Sequence, residues 1–147
     1  MIQGKRYEFS EEGVVVTLPD QAKRARVVKL PLVPPEGRGP GRRTAGEFQP
    51  GRLVINIGVV EEDNPDVFLE KFNPPFELRV RYSSGDMQRA TSAGQPLQLA
   101  FWDGSQWVRF THEKHQFEIV PDANGSKGGT GVALISHWGD PPVGWGP

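Results

Sequence analysis

The side chains best able to do chemistry in this sequence are two imidazoles, a run of carboxylates and four indoles. His112-Glu113-Lys114-His115 sets two imidazoles three residues apart. That is one residue short of the His-Glu-x-x-His helical spacing, which binds zinc and supplies a glutamate as general base. On a strand, residues three apart point to opposite faces, so these rings would not converge. They read as exposed turn histidines, and His137 reads as structural. Glu61-Glu62-Asp63-Asn64-Pro65-Asp66 offers the oxygen ligands that calcium takes. It lacks the glycine and the closing glutamate of the EF-hand loop. It reads instead as an acidic loop that keeps a strand edge soluble. No Gly-x-Ser-x-Gly nucleophile elbow occurs. Cysteine is absent, which excludes disulfides, thiolate-bound metals and thiol catalysis. Carboxylates are plentiful, but no spacing selects a glycosidase pair. The expectation is a chain with no catalytic residues, no metal and no cofactor, and therefore no enzyme.

Indoles and guanidiniums carry the binding chemistry. Trp102, Trp107, Trp138 and Trp145 can each stack an apolar face on a sugar ring while the N–H finds a polar partner. Core packing is expected for Trp107 and for one of Trp102 or Trp138. Trp102 has opposite parity to Leu97, Leu99 and Phe101, which places it on the face away from the core. Trp102, with Trp138, is thus the candidate carbohydrate platform. Trp145 sits among glycines and prolines and reads as an anchor that docks on this chain or a neighbour. Residues 36–51 are mostly Gly, Pro and Arg and cannot form a packed element. Their length exceeds an ordinary connection, and such loops usually carry function. Arg38, Arg42 and Arg43 make the segment basic, and with Trp145 they are the candidate partner-binding residues.

The elements that must position these groups are short and extended. Gly13-Val14-Val15-Val16-Thr17-Leu18 is a β-branched run that stops at Pro19-Asp20. Residues 25–32 repeat the pattern, and the two runs are expected to pair as a hairpin. Residues 53–60 are the most apolar run and predict a central strand. Residues 67–72 predict a helical turn or a short edge strand. Phe76, Leu78, Val80 and Tyr82 alternate strictly with Glu77, Arg79 and Arg81, so the first set faces a core and the second faces water. Residues 83–95 read as a polar loop. Residues 97–102 alternate again and lead into a turn at Asp103-Gly104. Residues 117–120 and 132–138 complete the set, and residues 139–147 read as an irregular tail.

About eight strand candidates separated by turn signals predict an all-β, antiparallel β-sandwich of immunoglobulin-like or jelly-roll type. One domain over residues 1–138 carries the long loop at 36–52 and the extended tail at 139–147. A length of 147 residues suits one domain with a real core. The 18 glycines and 14 prolines supply its turns. A net charge of −1 gives no general attraction to nucleic acid or to an anionic membrane. No run reaches the roughly 20 apolar residues of a membrane span. The N-terminus has no apolar core of a signal peptide.

Several short motifs resemble a recurring module of bacterial surface and secreted proteins, loosely ZU5-like β-sandwiches. They are Pro74-Pro75 opening the strand that ends at Tyr82, the turn Phe101-Trp102-Asp103-Gly104, Trp107 shortly after, and the closing pair His137-Trp138. The first strand run, residues 13–19, is similar to the opening strand of such modules. The resemblance implies a sandwich with no shared catalytic residues, an interaction or structural role, and an extracytoplasmic or cell-surface location. The expected function is a structural or interaction subunit that docks on a protein partner or a second copy through its basic loop and Trp145. The alternative is a carbohydrate-binding module.

Overall fold

The computed structural model describes residues 4–20, 24–32, 48, 50–123, 128–139 and 141–147. Ten strands and two short helices lie among them. In chain order the strands are β1 (Gly4–Phe9), β2 (Val14–Pro19), β3 (Ala25–Leu30), β4 (Arg52–Glu61) and β5 (Lys71–Tyr82), followed by β6 (Gln98–Trp102), β7 (Trp107–Arg109), β8 (Glu118–Pro121), β9 (Gly129–His137) and β10 (Pro142–Gly146). Helix α1 (Ser84–Ser92) separates β5 from β6, and the single turn α2 (His112–His115) separates β7 from β8. The strands form two five-stranded sheets, β1-β2-β5-β9-β8 and β3-β4-β10-β6-β7. Every pairing is antiparallel. The fold is an all-β antiparallel sandwich.

Alternation explains the first sheet. Phe76, Leu78, Val80 and Tyr82 of β5 are buried, as are Val14, Val16 and Leu18 of β2. The register sets Val16 beside Leu78 and Val14 beside Val80, so both apolar rows face the second sheet. From there Ile55, Ile57 and Val59 of β4 and Leu99 of β6 close the core.

Three expectations are corrected. The runs at 13–18 and 25–32 do not pair. β2 lies between β1 and β5, and β3 pairs with β4 in the other sheet. Two strands with one apolar side can bury that side by stacking across a core as well as by sharing a sheet, and alternation reads the same in both cases. Residues 83–95 hold a helix, not a loop. Ser83 caps it: its hydroxyl accepts from the Asp86 N–H at 3.2 Å, and the Asp86 carboxylate accepts from the Ser83 N–H at 2.9 Å. This is a capping box with aspartate in the place of glutamate.

The tail is the third correction. Residues 142–146 are not irregular: they form β10, at the centre of the second sheet between β4 and β6. Val143 and Trp145 point into the core with no exposed surface. Pro142 is the first residue of the strand, where a missing N–H is tolerated. At Gly144 a side-chain carbon would stand 3.0 Å from the Arg52 carbonyl oxygen, so the neighbouring backbone leaves little room for one. Trp145 donates its indole N–H to the Arg81 carbonyl of the opposite sheet at 2.8 Å and meets the Tyr82 ring edge-on at 5.2 Å. Trp145→Ala is expected to cost about 3–5 kcal/mol, as for other buried Trp truncations. Guanidinium unfolding would read this as a lower midpoint with an unchanged slope. A midpoint within error of the wild type would show that β10 does not hold the sandwich together.

Candidate functional site

The two outer faces of the sandwich differ. On the outer side of the second sheet, Val60 and Ala100 are fully buried although they point away from the core. Residues 67–69 fold back over the end of β4: Leu69 N–H donates to the Val59 carbonyl at 2.7 Å, and Phe68 bridges Val60. Near the β6–β7 hairpin the same face carries Trp102 and Trp107, paired edge-on at 5.7 Å. Phe48, 2% exposed, lies 5.4 Å from the Trp107 ring.

On the outer side of the first sheet the registers set two rows of side chains, in which Thr17 and Glu77, the latter expected to face water, are each only 5% exposed. One row runs Glu8, Val15, Arg79, Val132, Glu118 across β1, β2, β5, β9 and β8. The next runs Arg6, Thr17, Glu77, Leu134 across the first four of these strands. Val15, Val132 and Leu134 are half-buried, and Val120 at the β8 edge is 49% exposed. Within each charged strand the two rows are joined by ion pairs, Arg6 to Glu8 at 3.1 Å and Arg79 to Glu77 at 2.7 Å. Arg81 extends the pattern with a bidentate pair to Asp122 at 2.6 and 2.7 Å. This face combines apolar area with an ordered set of opposite charges, which is the chemistry of a protein-docking surface.

At one end of the sandwich a shallow cleft of about 650 Å³ is lined by Glu11, Glu12, Arg52, Arg81 and Ser83, among others. Three of its charged side chains are engaged in pairs. Glu12 holds Lys29, Arg81 holds Asp122, and Arg52 holds Asp86. Asp86 is 2% exposed. It receives two hydrogen bonds from Arg52, at 3.0 and 2.7 Å, and a further one from Arg89. Burial pushes the Asp86 carboxyl up; the hydrogen bonds from Arg52 and the Ser83 N–H, with the charges of Arg52 and Arg89, outweigh it. The net value lies below the ordinary carboxylate range. The arrangement ties α1 to β4 and is structural.

The sequence-predicted residues fall as follows. Arg38, Arg42 and Arg43 lie outside the described residues. Trp145, expected as an anchor, anchors on this chain: as part of β10 it offers nothing to a partner. Trp138, expected as part of a carbohydrate platform, is 2% exposed and donates its indole N–H to the Ile57 carbonyl at 3.0 Å. Trp102 lies on the outer face, as its parity requires. Trp107 shares that face instead of the core, because its register partner is Trp102. The two indole planes stand 68° apart, so they do not form one flat platform. His112 and His115 lie on the turn of α2, not on a strand. His115 Nδ1 accepts from the Thr111 N–H at 3.1 Å, and its ring packs on Phe110 at 5.0 Å. Burial, with the neighbouring Lys114 charge, pushes the His115 imidazole down. His137 is exposed. Among the described residues no three carboxylates, imidazoles or thiols converge as a metal site, and no helix is long and apolar enough to cross a membrane.

Sequence reasoning missed the apolar side chains on the outer face of the first sheet. Their signal was present in β9, where Val132 and Leu134 are apolar at the parity opposite to Ala133 and Ile135. A strand with one face fully solvated carries polar residues there.

The Asp86 knot yields a pH signature. Its folded value lies below the unfolded one of about 3.9, so its stabilisation is complete above that pH and is lost as pH falls through the folded value. Asp86→Asn is expected to destabilise by about 2–3 kcal/mol at neutral pH. The gap between variant and wild type should close in urea melts taken progressively below about pH 4. A gap that persists at the lowest pH would assign the loss to packing and not to charge.

No family model, no curated protein and no solved structure matches this chain.

Proposed function

We propose that this protein is a non-catalytic interaction module that docks on protein through the outer face of its first sheet. The observation that carries the reading is the set of incompletely covered apolar side chains on that face, with Arg6, Glu8 and Glu118 exposed around them. Val15, Val132 and Leu134 lie half-buried between charged residues of both signs. Apolar side chains on an uncovered sheet face lose contact with water only when a second surface covers them. The ordered charges on either side fix register and discriminate among partners more than they add affinity. The resemblance to sandwich modules of bacterial surface and secreted proteins supports the same role and an extracytoplasmic setting. The expected contribution of Trp145 to docking is withdrawn with its burial.

A photo-crosslinking amino acid in place of Val132 tests the reading against the same group in place of Ser105, an exposed residue of the β6–β7 turn. Illumination in the native source should give a defined protein adduct from position 132 and none from position 105. Equal or absent adducts from both positions would overturn it.

A second reading is carbohydrate binding at Trp102. It is favoured by the place of that indole on an outer face, where it is only partly covered. Trp102→Ala should abolish retention on an insoluble polysaccharide without lowering stability by more than about 1 kcal/mol, the cost of one lost ring contact. Failure of the wild type to be retained on a broad glycan panel would remove this reading.

A further inference from the structure

Of the three imidazoles, only that of His115 is half-buried; His112 and His137 are exposed. His115 closes α2, a single turn with no buried residue that packs against β9. Thr111 caps the turn, and its hydroxyl accepts from the Lys114 N–H at 3.2 Å. The Thr111 N–H is received in return by His115 Nδ1 at 3.1 Å. These are the two reciprocal bonds of a capping box, the second made one position later than usual. The turn ends at Gln116, whose φ of 48° is left-handed and disfavoured for a residue with a side chain. So short a turn holds its shape through contacts outside its own backbone.

His115 supplies those contacts. Its ring meets Phe110 edge-on at 5.0 Å and Phe101 at 6.1 Å. Both phenyl rings pack on Trp138, and Phe110 is 5% exposed. The imidazole is therefore the part of α2 that seats on the aromatic end of the core.

Nδ1 can receive the Thr111 N–H only while it carries no hydrogen. An imidazolium has a hydrogen on both nitrogens and accepts nothing. Protonation would set two N–H groups against each other and bring a charge into a half-buried place. Burial of the ring and the charge of Lys114 both favour the neutral form, against a smaller opposing contribution from the Thr111 backbone. The described residues around it do little to offset this. β6 carries no titratable side chain, and the one on β9 is the exposed His137. Arg109 of β7 has the wrong sign, and Glu113 and Glu118 stand exposed in water, where screening weakens them.

We propose that α2 is a lid over the aromatic end of the core, latched by neutral His115 and released when acid protonates that ring. Release lifts the imidazole from Phe101 and Phe110 and bares apolar surface that is covered at neutral pH. A free imidazole titrates at about 6.5, and in the closed lid it titrates lower. Above about pH 6.5 the latch holds in full. As pH falls from there to the closed-lid value, the open lid binds more protons and gains. Within that window the opening constant rises by up to about tenfold per pH unit.

Nuclear magnetic resonance on the full chain tests the latch. At neutral pH the His115 ring should carry its one hydrogen on Nε2. The amides of His115, Gln116 and Phe117 are bonded to the carbonyls of Thr111, His112 and Thr111. Their protection from hydrogen exchange should fall below about pH 6.5, by up to about tenfold per unit. The Arg81 amide, bonded to the Gly13 carbonyl in the first sheet, should keep its protection. His115→Asn retains an acceptor at the same reach and does not titrate, so its α2 amides should be indifferent to pH. If that variant leaves the turn open at every pH, the wild type decides, because the loss of protection must track the titration of His115 and not that of His112 or His137. A hydrogen on Nδ1 at neutral pH would overturn the proposal. So would wild-type protection that ignores pH, a loss that follows another histidine, or a loss that persists in His115→Asn.

Discussion

The fold depends on two indole N–H groups that reach across the sandwich in opposite directions. Trp145, from the centre of the second sheet, donates to Arg81 on β5. Trp138, which follows β9 of the first sheet, donates to Ile57 on β4. A buried N–H without a partner costs a few kcal/mol, so each ring can enter the core only where a carbonyl of the opposite sheet is placed to receive it. The two sheets are therefore fixed in position as well as in separation. The aromatic neighbours follow. Trp138 packs against Phe76, Phe101 and Phe110, and Trp145 against Tyr82.

Around Trp145 the polar groups are arranged to support this contact. The Arg81 carbonyl that receives the indole also accepts from Arg52 at 3.3 Å. Arg52 is in turn held by Asp86, which is held by the cap of α1. The end of the sandwich is thus one connected polar network, in which each buried charge has a counter-charge and hydrogen bonds. In the cleft beside it Glu12, Arg52 and Arg81 are held by Lys29, Asp86 and Asp122. On the second sheet the outward Val60 and Ala100 are fully buried, and on the first the outward Val15, Val132 and Leu134 are only half-buried.

Much of the sandwich was legible. Phe76, Leu78, Val80 and Tyr82 declared their inward face by strict alternation, and the Asp103-Gly104 turn joins β6 to β7 as read, with Asp103 accepting from the Ser105 and Gln106 N–H groups. Gly104 takes a positive φ there, at 106°, where a side chain would be strained. The helix at 84–92 was hidden because its capping box lacks the apolar run that normally follows one. Its stability comes from Asp86 bonding outside the helix to Arg52, which no local window contains. Parity placed Trp102 on an outer face correctly, but it could not say that Trp107 would join it, since that depends on the register of a hairpin.

By itself the sequence determined an antiparallel β class, the inward row of β5, and the absence of thiol chemistry, because these follow from residue type and a period of two. Only the tertiary structure decided which sheet each strand joins, and that the Gly/Pro-rich end of the chain is a central strand. Glycine and proline disfavour a strand in isolation. Between β4 and β6 both edges of residues 142–146 find backbone partners, Gly144 fits where a side chain would crowd the neighbouring strand, and Trp145 gains a full burial that no local preference can offset.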